Sequence, residues 1–188
     1  MRFLFLLLNL NHSIAYGGKA HSHGLGLVNV AVSGSEIQVE MEVPMADAVG
    51  FEYAARTKAE KAKINKLKQG LQKATFIKAP PSGCKVAVGE IKGIAGEGGH
   101  HDDHHDDHHD DHHDDHHDDH HGKKKKKEVH SDLHVTYSIK CKQALKGTLN
   151  LFLTKVFPKL KKVRVQTVGI NPPIGGNKSQ LNPLKIAL

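Results

Sequence analysis

The sequence predicts an α+β protein. One domain is expected, in which a mixed or antiparallel sheet of about five strands packs with two main helices as an α/β sandwich. Three observations lead there. Two neighbouring runs alternate apolar and polar residues with period two, as half-buried strands do. A third run carries apolar residues at helical spacing behind an N-terminal capping sequence. Between the two halves of the chain lies a tract with no apolar residue at all, which cannot bury itself and is expected to be a disordered insertion rather than a second domain.

Taken in order, residues 1–20 read as an export signal. Met1-Arg2 precedes the apolar run Phe3 to Leu8, and Ser13-Ile14-Ala15 meets the small-x-small cleavage rule, with Ala20 as a second candidate. The competing reading is a hydrophobic first strand. The run is too short to span a membrane.

Residues 21–99 form the first part of the domain. Val28, Val30 and Val32 share one face, Ser33-Gly34-Ser35 is turn chemistry, and Ile37, Val39, Met41 and Val43 alternate with polar residues up to Pro44. This is a β-hairpin. Thr57 with Glu60 makes a capping box for a helix carrying Ile64, Leu67, Leu71 and Ala74 on one face. Pro80-Pro81-Ser82-Gly83 breaks the pattern, and Cys84, Val86 and Val88 begin a third strand.

The remainder of the domain spans 128–188. Leu133, Val135, Tyr137, Ile139 and Cys141 alternate as a fourth strand. Leu145, Leu149, Phe152 and Val156 predict a second helix, ended by Pro158. Val163, Val165 and Thr167 suggest a fifth strand, and the Pro-, Asn- and Gly-rich tail reads as an irregular arm with a short strand near its end.

The insertion occupies 100–127. His100 to His121 repeats His-His-Asp-Asp five times, closes on His120-His121, and is followed by Gly122 and the lysines Lys123 to Lys127. It holds His100, His101, His104, His105, His108, His109, His112, His113, His116, His117, His120 and His121. Its acids are Asp102, Asp103, Asp106, Asp107, Asp110, Asp111, Asp114, Asp115, Asp118 and Asp119. Imidazole nitrogen and carboxylate oxygen, without thiolate, suit zinc; copper(II) or nickel would also bind. At three or four donors per ion, the tract takes roughly three or four zinc ions. It is too long and too regularly mixed with aspartate for a purification tag. The bland readings are a solvated spacer, a pH-responsive loop or a low-complexity expansion without a role. The metal reading rests on donor density.

A second candidate set lies beside the tract. His130, Asp132 and His134 stand at i, i+2 and i+4 on one face of the fourth strand, about 6.6 to 6.8 Å per step. His21 and His23 share a face if the first strand reaches back that far. Docked together, these ladders would make a preorganised metal site; otherwise they are polar residues on a solvent face.

Removing the ten tract aspartates from the formal charge of +7 leaves the rest at +17. Such a basic body raises nucleic acid as a partner, but no aromatic-interleaved basic motif is present and the export signal argues against it. The two cysteines, Cys84 and Cys141, fit an exported protein with one disulfide that encloses the tract and anchors both its roots; two buried thiols are the alternative. No His-Glu-x-x-His helix, nucleophile elbow or paired-carboxylate pattern marks an enzyme.

His21-Ser22-His23-Gly24, Val49-Gly50-Phe51-Glu52, the His/Asp insertion, His130-Ser131-Asp132, both cysteines, Phe157-Pro158 and Val165-Gln166 occur in order along the chain. In this ordered set the sequence resembles the ZrgA-like periplasmic zinc-binding proteins of Gram-negative bacteria. It departs from their His-Ala-Pro with Tyr53-Ala54-Ala55. The resemblance implies a sandwich of helices around a sheet, a periplasmic location, induction in zinc scarcity, and delivery of zinc toward an ABC-type importer or its binding protein. A metal buffer against excess zinc, copper or nickel is the alternative function.

Overall fold

The first strand, β1 (Leu25–Ser33), turns directly into β2 (Glu36–Pro44), and alternate residues of each are buried as predicted, except that Val32 near the end of β1 is only half-buried. The computed structural model describes residues 23–80, 83–94, 131–143 and 145–188. After β2 come a one-turn helix α1 (Met45–Ala48), the long helix α2 (Lys58–Lys73) and strands β3 (Ile77–Lys78) and β4 (Lys85–Lys92). Beyond the insertion follow β5 (Asp132–Lys140), β6 (Thr148–Leu151), β7 (Lys162–Val168), β8 (Gly175–Lys178) and β9 (Leu184–Ala187).

Six strands form one mixed sheet in the order β4-β5-β2-β1-β7-β8, and β3-β6-β9 form a second, smaller sheet. Only the β1–β7 pairing in the large sheet is parallel. Val30, Val39, Met41, Val135, Ile139 and Val165 from the large sheet meet Leu67 and Leu71 of α2 and Leu149, Leu151 and Ile186 of the small sheet in one core. Phe76 stands edge-on between Tyr137 and Phe157, with ring centroids 5.6 and 6.3 Å away. The Tyr137 hydroxyl donates to the Leu71 carbonyl at 3.0 Å, and burial pushes its pKa up.

Two expectations are corrected. The described strands number nine in two sheets, rather than about five in one. The predicted helix over Leu145 to Val156 is instead β6 followed by a 3-10 turn, Leu153–Lys155. Both periods fit that stretch, because Leu149, Leu151 and Leu153 also alternate, and those three are fully buried. Pairing with β3 and β9 decides for the strand. The tail supplies two short strands, β8 and β9.

The capping box of α2 is present. Thr57 Oγ1 accepts from Glu60 N at 3.1 Å, while Glu60 Oε2 accepts from the backbone N–H groups of Thr57 and Arg56, each at 2.9 Å. The other oxygen accepts from the Tyr53 hydroxyl at 2.7 Å. The Thr57 amide, then Tyr53, then the Arg56 amide hold the Glu60 pKa down at about 2, against an ordinary 4.5. A depressed carboxylate stabilises above its unfolded value and loses that contribution as pH falls through the folded one. Amide protection at the start of α2, taken relative to the intrinsic exchange rate, is therefore expected to weaken as pH falls from about 4.5 toward 2. Glu60→Gln should abolish that pH step.

Cys84 and Cys141 form a disulfide. They flank the first β4–β5 pair, Lys85 with Lys140, so the bridge lies at the end of this hairpin away from the insertion. A strand of this length separates it from the insertion's roots by about 25 Å. The expectation that the bridge anchors those roots is corrected accordingly. Ile94, buried at one root, and Ser131 at the other are held locally. Met45 N–H donates to the Ser131 carbonyl at 3.0 Å, and Ser131 Oγ donates to the Glu52 carbonyl at 3.1 Å. Gly93, with φ of 79°, passes so close to the Asp132 carbonyl that any side chain there would overlap it.

Candidate metal centre

The insertion leaves and rejoins the body at one end of the large sheet, and two separate imidazole–carboxylate pairs stand at that end. The β2–β5 register makes Glu42 and His134 direct partners, with Val43 opposite Leu133 as the next pair. Because side chains alternate along strands, Val43 and Leu133 enter the core while Glu42 and His134 point outward. Glu42 Oε2 lies 3.9 Å from His134 Nδ1. Asp132, two residues earlier, shares that outer face and is half-buried.

His23 precedes β1. Gly24 N–H donates to Asp47 Oδ2 at 2.6 Å, and Asp47 is the buried charged residue of the described chain. This bond from α1 fixes the approach to β1 and so the place of His23. Glu52 Oε1 lies 3.7 Å from His23 Nδ1; the Glu52 side chain is 14% exposed and that of His23 57%. A cleft of about 410 Å³, lined by His23, Gly24, Asp47 and the 158–161 segment, opens beside the pair.

The predicted residues thus divide. Asp132 and His134 share a strand face. His23 is at the same end of the sheet, but β2 lies between β1 and β5, so His23 and His134 stand on different neighbours and do not form one docked ladder. Each faces a glutamate instead. His21, His130 and the whole tract from His100 to His121 lie outside the described residues. Among the described residues, no three His, Cys, Asp or Glu side chains are gathered so that they could hold a metal ion. What stands there is a set of two-donor pairs.

Sequence reasoning missed Glu42 and Glu52. Glu42 belongs to the polar face of β2, and that face was legible, but which residue of β5 it opposes depends on long-range register. Glu52 sits in a loop without any local signal.

The model of the ZrgA family zinc uptake protein matches residues 20–183. The chain belongs to the ZrgA family. The match spans both halves of the domain and the insertion between them, and it places the protein in zinc uptake. No curated protein matches the chain. The family description names uptake of zinc and no catalysed reaction. Among the described residues, no helix is long and apolar enough to cross a membrane.

Proposed function

We propose that this chain is a periplasmic zinc-binding protein that captures divalent metal on its His/Asp tract and supports zinc uptake. The observation that carries this reading is the tract itself: twelve histidines and ten aspartates in twenty-two residues, in a chain of a zinc-uptake family. Imidazole and carboxylate without thiolate give zinc sites of moderate strength, and many such sites exchange ions among themselves. That suits capture and release better than one closed cage. Zinc must displace protons from charged imidazoles, so affinity falls as pH drops below about 6.5. The sign follows from competition: more protons, fewer free donors.

The folded body supplies what a free peptide lacks. Both ends of the insertion are fixed in adjacent strands, and the disulfide closes the far end of that hairpin. The recipient of the zinc is an ABC-type importer or its binding protein, reached by exchange from the tract.

Expression and growth separate uptake from buffering. Uptake predicts that the protein rises in zinc starvation and that a deletion strain grows poorly only when zinc is chelated. Induction by excess zinc, copper or nickel, with sensitivity to those metals on deletion, would overturn uptake in favour of buffering.

A further inference from the structure

We propose that the outer side of the layer formed by α2 and the β3-β6-β9 sheet docks on an anionic lipid surface. The inference goes beyond zinc capture and uses none of the tract. The large sheet buries one face only, and α2 and the small sheet together cover it. What these elements turn away from the core is therefore one side of the molecule.

Lysines crowd that side. In α2, Ile64, Leu67 and Leu71 are buried, while Lys58, Lys61, Lys63, Lys66 and Lys73 are exposed. Lys58, Lys66 and Lys73 follow one another at eight and seven residues, about two helical turns, so they stand in one stripe opposite the buried residues. On the small sheet, Lys78 and Lys185 are both register partners of Asn150. Both are exposed, and Ile77, Leu184 and Ile186 beside them enter the core. Glu60 is the one acidic residue in α2, β3, β6 and β9. Its two oxygens are taken by the cap and by Tyr53.

The opposite side differs. The open face of the large sheet carries Glu36, Glu40 and Glu42 on β2. Lysines of that sheet find acids: Lys140 lies 3.1 Å from Glu36 and Lys92 2.7 Å from Glu90. The fold thus divides the charge of the body, because β2 and α2 turn their polar faces to opposite sides.

The chemistry of the basic side selects its partner. Lysine is a compact charge on a flexible stem, without the planar fork by which arginine grips a single carboxylate or phosphate. Protein interfaces are depleted in lysine and enriched in arginine and aromatic rings. Single-stranded nucleic acid needs rings on which bases stack. Tyr53, the exposed aromatic residue of the described chain, is held in the cap of α2 by its bond to Glu60. A spread of lysines over a helix about 24 Å long fits instead the headgroup phosphates of a bilayer, where each lysine near the surface adds to binding. The apolar side of α2 is committed to the core, so the contact is electrostatic and does not insert. The same surface repels the glutamates of β2, which orients the docked protein with its open sheet face outward.

The test is co-sedimentation of the full chain, without zinc, with vesicles of equal parts phosphatidylglycerol and phosphatidylcholine and with vesicles of phosphatidylcholine alone. The expected result is binding to the anionic vesicles only, lost as salt rises from about 0.05 to 0.5 M. Replacing Lys58, Lys66 and Lys73 together by Gln should weaken binding by about tenfold or more without moving the thermal midpoint. Replacing Lys85, Lys140 and Lys162 by Gln removes equal charge from the large sheet and should change binding by less than about threefold. Equal effects of the two triple variants overturn the assigned face, and equal binding to both kinds of vesicle overturns the electrostatic contact. No binding to the anionic vesicles at low salt overturns the proposal outright. So does binding that appears only after residues 100–121 are replaced by Gly and Ser, since the tract then holds the face in the intact chain. Stronger binding of polyglutamate than of anionic vesicles by the same lysines overturns the lipid in favour of an acidic protein. Each of these outcomes leaves zinc capture standing, because zinc titration reads it separately.

Discussion

Replacing His100 to His121 by a Gly/Ser sequence of equal length is expected to strip the protein of the roughly three or four zinc ions that the tract takes. All but a few of the imidazoles disappear with the tract, and the ten aspartates with them. No substitute set exists among the described residues, where donors stand in pairs rather than in threes and fours. The fold should not respond. The roots are held by Ile94, by the Met45–Ser131 hydrogen bond and by Ser131 on Glu52, and equal length leaves loop-closure entropy unchanged. Equilibrium dialysis with metal analysis, beside a thermal melt, reads both halves of this expectation. Undiminished zinc in the replaced chain would move the capture site onto the body.

Breaking the disulfide is expected to carry the largest cost in stability. The bridge closes a loop of 57 residues, for which chain entropy gives about 4 kcal/mol. The structure supplies a second reason for a large effect. β4 is an edge strand paired only to β5, and none of its residues is fully buried. Without the covalent tie at Cys84, little apolar burial holds this strand to the sheet. The double substitution Cys84→Ser/Cys141→Ser should lower the unfolding midpoint by roughly 10–15 °C at this chain length. Hydrogen exchange should show β4 opening before β2. A midpoint within about 2 °C of the parent would mean that the unfolded chain gains little freedom on reduction. Zinc uptake by the tract needs no thiol, so its stoichiometry should survive the substitution.

The parts of the fold that could be read from the chain are those whose signal is local. β1 and β2 follow from the alternation of Val28 to Val43, and α2 from Thr57, Glu60 and the spacing of Ile64, Leu67 and Leu71. β5 and β7 follow from period two as well. Other elements carry no such signal. β3 is two residues long and α1 a single turn, below the length at which a period can be counted. At β6, leucines and a phenylalanine satisfied helix and strand together, and only partners distant in sequence chose between them. The second sheet was invisible for the same reason.

The candidate centre divides in the same way. His134 and Asp132 share a face by simple strand geometry, and that much was legible. Their glutamate neighbour was not, because Glu42 meets His134 through the register of two strands separated by the whole insertion. For the two cysteines the chain left a disulfide and two buried thiols open, and the structure has the disulfide. Their place at the far end of the hairpin depended on how β4 and β5 align, so the expectation about the roots failed there.

The most direct test of zinc capture is a calorimetric titration of the intact protein with zinc at pH 7 and again near pH 5.5. Capture by the tract predicts several ions bound well below millimolar concentration at the higher pH, and a marked loss of affinity at the lower one as imidazoles take up protons. If the intact protein binds no zinc better than millimolar at either pH, the tract is a spacer and the account of capture is wrong.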